Sequence, residues 1–295
     1  MKKVAAAALI AFLSSALCAD FIRDFQAANR LFNERRWAEA AEAFGQIAET
    51  APSAHKDKCL AYVARSLAMQ KKYDEALGAA GGIKNPQLRA YATMSAMSAC
   101  GKNKELLLAF KDENIGAWPE EIDYLGYKMR GTAWYNTGGH AAAVCDLEQA
   151  AARAGSDPWP KWEALYYLKC AAEQAGDIER ARQAADTLLA DESTGRGGWP
   201  YLLCAFWKIH LLIREKQFDT AEKMLAGLNA GRTWGQDEYQ LRYHEAVGDL
   251  AGARGDKAAA REAYVRAAAV QTHPGYTENV RNKLEALNQP GEAAK

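Results

Sequence analysis

Just past a tight turn, a small residue recurs all along this chain: Ala40, Ala76, Ala143, Ala181, Ala221 and Ala260, with Leu106 in the one remaining slot. Successive positions lie 36, 30, 37, 38, 40 and 39 residues apart. A near-constant period in this range belongs to stacked two-element units, each contacting only its neighbours, and not to one closed core. Such a stack can reach 295 residues where a single core stops growing. It builds extended surfaces before it builds reaction centres.

Composition supports helix throughout: Ala-rich, Pro-poor and without long β-branched runs. Lys and Arg together number 37, as do Asp and Glu. Discounting Lys2 and Lys3 leaves 35 basic against 37 acidic residues. That balance argues against nucleic acid, whose binding rests on a basic face.

Residues 1–18 read as a signal peptide, with Lys2 and Lys3 ahead of an apolar Val4–Leu17 stretch interrupted by Ser14 and Ser15. Ala16 and Cys18 supply the small residues before a cut ahead of Ala19. The stretch falls short of the roughly 20 residues of a membrane span. Lipidation of Cys18 is disfavoured because Leu17 stands where a lipoprotein signal wants a small residue. The mature chain is therefore expected in the periplasm or outside the cell, with no transmembrane segment. Cys59, Cys100, Cys145, Cys170 and Cys204 remain. None forms a CxxC, and Cys145 with Cys170, on consecutive helices, is the pair to test for a disulfide.

Paired helices follow. The first pair is expected over about Phe21 to Glu34 and Trp37 to Thr50, the second over Ala54 to Gln70 and Tyr73 to Ile83. Asn85 caps the next helix, with Pro86 in its first turn, and a short partner ends near Lys111. Gly138-Gly139, Gly176-Asp177, Lys216-Gln217 and Gly255-Asp256 mark the later turns. Gly at 101, 138, 176 and 255 suits a left-handed turn conformation. The Ala five residues on lets the second helix approach the first, and a large residue four further on (Phe44, Phe110, Leu147, Leu225, Tyr264) fills the space between units. A last helix, Thr277 to Asn288, carries Val280, Leu284 and Leu287 on one face and should turn its polar face to water.

The unit DFQAANRLFNERRWAEAAEAFGQIAETAP, with Trp37, Ala40, Phe44 and Pro52, resembles a tetratricopeptide repeat; KKYDEA at Lys71–Ala76 and GDKAAAREAY at Gly255–Tyr264 repeat its signature. The likeness to an exported bacterial protein of that family runs from about Phe21 to Pro274. It implies an all-α, right-handed α-solenoid of about seven hairpins over 19–274, a C-terminal capping helix over 275–289 and a tail over 290–295. Leu106 departs from the pattern. Arg130 and Lys208 stand where an apolar residue is usual, which leaves the register of those helices open.

The same resemblance implies a concave groove lined by the first helices. Its register places Phe25, Tyr91, Tyr166 and Phe206 at one inner position, and Asn29, Arg65, Ser95, Thr132, His210 and Asp249 one turn along. Lys128, Tyr135 and Asn136 join them in the fourth unit. Rings beside amides and charges suit a protein or peptide ligand, so Phe25, Asn29, Arg65, Tyr91, Lys128, Tyr135, Tyr166 and His210 are the candidate binding residues. A second repeat, Trp118-Pro119, Trp159-Pro160 and Trp199-Pro200 with Trp234-Gly235, reads as packing at helix starts. The Trp-to-turn distances predict the fourth and seventh first helices to be about one turn longer than the fifth and sixth.

Catalytic and metal motifs are missing. The His residues at 55, 140, 210, 244 and 273 have no HxxxH or HExxH spacing, and no GxSxG or phosphate-binding loop occurs. Gly195 to Gly198 reads as a loop between units, and Arg254-Gly255-Asp256 as a turn. The expectation is a non-enzymatic scaffold of the cell envelope that needs no cofactor or metal and binds a protein or peptide of unknown identity. Two alternatives stand beside it: a periplasmic glycan- or solute-binding protein, and an assembly factor for outer-membrane or secreted proteins.

Overall fold

A computed structural model describes residues 20–154, 158–191, 198–229 and 237–288. The expected signal peptide with Cys18, all of the Gly195 to Gly198 loop but Gly198, Trp234-Gly235 and the expected 290–295 tail lie outside the described residues. Among the described residues every regular element is helical, and the chain gathers into two compact units, residues 1–156 and 157–295. In the first, α1 (20–33) pairs with α2 (Trp37–Thr50), α3 (Ser53–Met69) with α4 (Tyr73–Gly81), α5 (Pro86–Ala99) with α6 (Asn103–Phe110), and α7 (Glu120–Asn136) with α8 (His140–Arg153). In the second, α9 (Pro158–Gln174) pairs with α10 (Ile178–Ala190), α11 (Trp199–Arg214) with α12 (Phe218–Asn229), and α13 (Asp237–Ala253) with α14 (Lys257–Ala268). Helix α15 (Pro274–Asn288) closes that unit.

Within each unit, first helices pack on first helices: α3 on α5 and α5 on α7, then α9 on α11 and α11 on α13. Within each unit a second helix lies against its own partner and the next helix along the chain, as α4 does against α3 and α5 and α12 against α11 and α13. Apolar residues are buried along these contacts in successive clusters, such as Ile83, Met94, Leu106 and Ile115 in the first unit and Leu202, Phe206, Ile209 and Leu225 in the second. The core is thus distributed along the repeats.

One turn geometry makes all seven hairpins. Five residues before each recurrent small position stands a residue with left-handed backbone: Arg35, Lys71, Gly101, Gly138, Gly176, Lys216 and Gly255, with φ between 60° and 88°. The next N–H reaches back to the carbonyl five residues earlier, as from Arg36 to Leu31 and Gly139 to Trp134, at 2.8 to 3.0 Å in every case. This six-to-one bond is the Schellman ending, which satisfies a carbonyl the helix would otherwise leave open. The second helix then starts at once, capped by the Asp177 and Asp256 carboxylates in two of the hairpins. Its first inward residue is the recurrent one, and Ala40, Ala76, Leu106, Ala143, Ala181, Ala221 and Ala260 are all fully buried. In the seventh hairpin the approach is closer still. A Cβ on Gly248 would lie 2.4 Å from the Tyr264 ring.

Four expectations need correction or completion. The first helices do not differ by a turn: α7, α9 and α13 have 17 residues and α11 has 16. Trp159 and Trp199 lie inside the first turns of α9 and α11, whereas Trp118 precedes α7 in an extended conformation. Distance from Trp therefore does not measure helix length. Arg130 and Lys208 keep the register and are neutralised in place. Arg130 makes two 2.8 Å bonds to Asp146 and a third to the Glu113 carbonyl, and Lys208 pairs with Asp186. After the short α6, a 3-10 turn (Ile115–Ala117) buries Ile115 and Trp118 instead, with the Trp118 indole donating to Glu113 at 3.1 Å. Finally, the five described cysteines are all free. Cys145 is exposed on α8 and Cys170 is buried on α9, so the Cys145–Cys170 bridge is not formed. Burial pushes the Cys204 thiol up to about 12, leaving it unreactive at neutral pH.

The turn geometry has opposite consequences at its two residue types. A left-handed conformation is unfavourable for Lys by about 1–2 kcal/mol and free of that strain for Gly. Lys71→Gly and Lys216→Gly should each stabilise the fold by up to about 1 kcal/mol, the larger unfolded-state entropy of Gly taking back part of the gain. Gly176→Ala and Gly255→Ala should each lose about 1 kcal/mol. Urea unfolding followed by circular dichroism measures all four, and equal signs across the set would refute a shared left-handed requirement.

Candidate functional site

The first-helix faces were expected to carry the binding residues, and each unit builds this face differently. In the first unit it is an aromatic cluster topped by cations. Phe25 of α1 meets Phe44 edge-on at 5.2 Å and Tyr62 of α3 edge-on at 5.4 Å, and Tyr62 stacks on Phe44 at 4.7 Å. Lys58 places its amine 5.5 Å from the Phe25 centroid, and the Arg65 guanidinium lies 4.8 Å from that of Phe32. Such contacts fix long cationic side chains over a ring while their N–H groups stay available to a ligand. Burial, with Tyr91 nearby, pushes the Tyr62 hydroxyl above its ordinary pKa, so it remains a donor. Lys58, Tyr62, Arg65 and Met69 follow helical spacing along one side of α3.

In the second unit the corresponding face is an ion network. Asp249 of α13 accepts from His210 Nδ1 at 3.2 Å, from the Tyr264 hydroxyl at 2.7 Å and from Lys283 Nζ at 2.7 and 2.8 Å. Lys283 also pairs with Glu245 at 2.8 Å, and Asn279 donates to Glu245 at 2.6 Å. Lys283 and Asn279 belong to α15, so part of that helix's polar side is turned inward and not to water. Val280 is fully buried beside them, with Leu284 and Leu287 packed on the same cluster. One turn from this network lies a second cation-aromatic group. The Lys169 amine is buried 5.1 Å from Trp207 and 5.7 Å from Tyr166, with Glu173 at 3.3 Å.

The candidate residues divide accordingly. Phe25, Asn29 and Arg65 are half-buried on neighbouring helices of the first unit. Tyr91 is not on a groove: it is 7% exposed within the core beside Met94 and Leu106, and is withdrawn as a binding residue. Phe206 is likewise core, at 2% exposure. Lys128 and Tyr135 are half-buried on α7, where Tyr135 packs near His140 at 5.8 Å. Tyr166 sits edge-on to Trp199 at 4.8 Å, and His210 is held by Asp249. Sequence reasoning missed Lys58 and Tyr62, whose helical spacing with Arg65 was the available signal. It also missed Lys169, a cation between Leu168 and Cys170, and Lys283, which meets its carboxylates on α13 only through the fold.

Among the described residues no group of three His, Cys, Asp or Glu is placed to hold a metal. No described helix is long and apolar enough to cross a membrane. The Arg254-Gly255-Asp256 tripeptide is consumed by the fold, since Arg254 pairs with Glu222 at 2.8 Å and Asp219 at 3.0 Å while Asp256 caps α14. Two open grooves of about 590 Å³ share the Ala269–Gln271 wall at the end of α14, one reaching His244 and Arg266, the other Thr277 and Arg281.

Seven hairpins of one turn geometry, with a small residue at each crossing, define an all-α repeat protein of tetratricopeptide-like hairpins. Among solved structures the chain is similar to a tetratricopeptide repeat protein from Parabacteroides merdae ATCC 43184, with 12% identity over 91% of this chain and 99% of that one and a TM-score of 0.44. It is similar also to the tetratricopeptide domain of P58(IPK), with 15% identity over 93% of this chain and 100% of that one and a TM-score of 0.23. No family model matches the sequence, and no curated protein does.

The Asp249 network makes a stability prediction. Burial alone would raise its pKa, but the bonds from His210, Lys283 and Tyr264 outweigh burial and hold the carboxyl at about 2. A carboxylate lowered on folding contributes stability above its unfolded pKa of about 3.9, and loses it as pH falls towards the folded value. Between about pH 4 and pH 2 the second unit should lose roughly 2 kcal/mol through this group. Asp249→Asn should be less stable at neutral pH yet show a shallower acid decline in thermal melts. Parallel declines for the two proteins would remove Asp249 from the account.

Proposed function

We propose that the protein is a non-enzymatic scaffold of the bacterial cell envelope that binds a peptide or protein segment along its first-helix faces. One observation carries the reading. Partly exposed rings and cations run from helix to helix (Phe25, Lys58, Tyr62 and Arg65 in the first unit) and are not gathered into an enclosed cavity. A small substrate is best held by burial on most sides, whereas an extended segment is held by anchors repeated along its length. The expected signal peptide supports export, and the envelope location rests on it. Trp159, 46% exposed and 6.4 Å from Trp199, favours the glycan-binding alternative in the second unit.

The test is site-specific photo-crosslinking in the native envelope. A photoreactive residue at Asn29 should yield a discrete protein adduct, and one at Glu42, on the second helix of the same hairpin, should not. Mature protein recovered from that fraction should begin at Ala19. Adducts of equal yield at both positions, or glycan-array binding with no captured protein, would overturn the scaffold reading.

A further inference from the structure

The cations of the first unit are unevenly used. Helices α2 and α4 carry Glu39, Glu42, Glu49, Asp74 and Glu75 and no Lys or Arg, while α3 and α5 carry Lys56, Lys58, Arg65 and Arg89 against Asp57 alone; on α1, Asp20 and Asp24 both pair with Arg23, at 3.1 and 3.0 Å, and Arg30 is a further cation. Asp57 is committed to the fold, accepting from the Lys84 and Asn85 backbone N–H groups at 3.0 and 2.7 Å. Among the described residues no carboxylate pairs with Lys58 or Arg65. They hold their charge over Phe25 and Phe32 instead. By contrast Arg130, Arg153 and Arg36 elsewhere in the unit each have a carboxylate within 2.8 Å. The α1–α3 face is therefore a positive strip over aromatic rings, and its ends are apolar, with Ile22 53% and Met69 45% exposed.

We propose that this face binds an internal acidic segment of a partner protein, with carboxylates at Lys58 and Arg65 and apolar side chains at the two ends. The proposal rests on the scaffold reading and names its ligand chemistry. Spacing sets the segment's pattern. At 1.5 Å rise per residue, Lys58 and Arg65 are about 10 Å apart along α3, which an extended chain spans in about three residues. Acidic residues at i and i+3, flanked by apolar ones, match the strip. The peptide backbone meets the Asn29 amide and the Tyr62 hydroxyl. Arg65 offers a planar fork of donors that a carboxylate fits, and its stacking on Phe32 restricts it in advance.

The probe is a fluorescently labelled peptide, Leu-Glu-Ser-Ala-Glu-Leu, acetylated and amidated so that no terminal charge contributes, titrated by anisotropy against the full mature chain. Gln-for-Glu and Lys-for-Glu versions and a thymidine oligonucleotide are compared. The acidic peptide should bind at least tenfold tighter than either analogue. It should weaken at least tenfold as ionic strength rises from about 0.01 M to about 0.15 M, where the screening length falls from about 30 Å to about 8 Å. Lys58→Glu with Arg65→Glu should abolish binding, and Glu42→Lys should leave it unchanged. Lys58→Glu alone, at an exposed site that cannot disturb the core, should cost at least fivefold, so a folding defect in the double variant leaves the test intact. Equal binding of acidic and Gln peptides, insensitivity to Lys58→Glu, or tighter oligonucleotide binding overturns the proposal. If no peptide binds while the Asn29 crosslink persists, the acidic assignment falls and the scaffold stands; loss of the crosslink as well removes both.

Discussion

Close approach of two helices at a side chain of almost no size is the constraint from which the rest of the structure follows. The left-handed residue and the six-to-one bond turn the chain, and five residues later an Ala meets the first helix with nothing to hold it away. At that separation a single hairpin has little apolar surface to bury: fully burying one large side chain yields about 1.5–3 kcal/mol, against about 1–2 kcal/mol of backbone entropy for every ordered residue. The next first helix must therefore supply the missing wall. Phe44, Leu225 and Tyr264 are buried in this way, against Tyr62 of α3, Ala246 of α13 and Val280 of α15. At two of these crossings the first helix also gives way: Gly131 faces Leu147, and Gly248 faces Tyr264.

The packing that creates the stack also decides which polar groups remain for function. Arg130 enters a position that apolar residues normally fill, and its charge is met by Asp146 and by carbonyls of the segment after α6. It replaces with ion pairs the wall that a full-length second helix would have provided. Asp249 and Glu245 do similar work for α15. These charges leave little exposed, at 12% and 10% for Arg130 and Asp146, and removing one member would strand the other in a poorly solvated site. Lys58 and Arg65 belong to a different class because their counter-groups are rings. A cation held by a ring keeps its net charge and projects it outward.

How far the residues foretold the structure depends on the range of the interaction involved. Turn chemistry and the Ala period are local, so the seven hairpins and the start and end of α2 were set by nearest neighbours in the chain. Lys71 and Lys216 take the left-handed turn without Gly, because the carbonyl bond from the following residue and the packing of both helices impose it. The register that placed His210 beside Asp249 also held, for equivalent positions on adjacent first helices must meet. Tyr91 failed for a reason beyond local pattern. The short α6 leaves a space that the 3-10 turn and Trp118 close over, and Tyr91 at the same register position as Phe25 is drawn into that cluster. The Trp-Pro pairs misled similarly: one dipeptide precedes its helix and two lie within theirs, a difference set by what each indole packs against.

Two chemically distinct first-helix faces have consequences for recognition. On the first unit's α1–α3 face Lys58 and Arg65 are held over rings and not by carboxylates, so an incoming acidic group loses water but breaks no existing ion pair. In the second, His210 and Lys283 are already occupied by Asp249 and Glu245, and a competing anion would have to displace a carboxylate held by three donors. Desolvation makes such an exchange costly, which directs an acidic partner to α1 and α3. The rings of the second unit, Tyr166, Trp199 and the exposed Trp159, offer faces and edges instead of charge. A uniformly acidic segment would therefore engage the first unit alone.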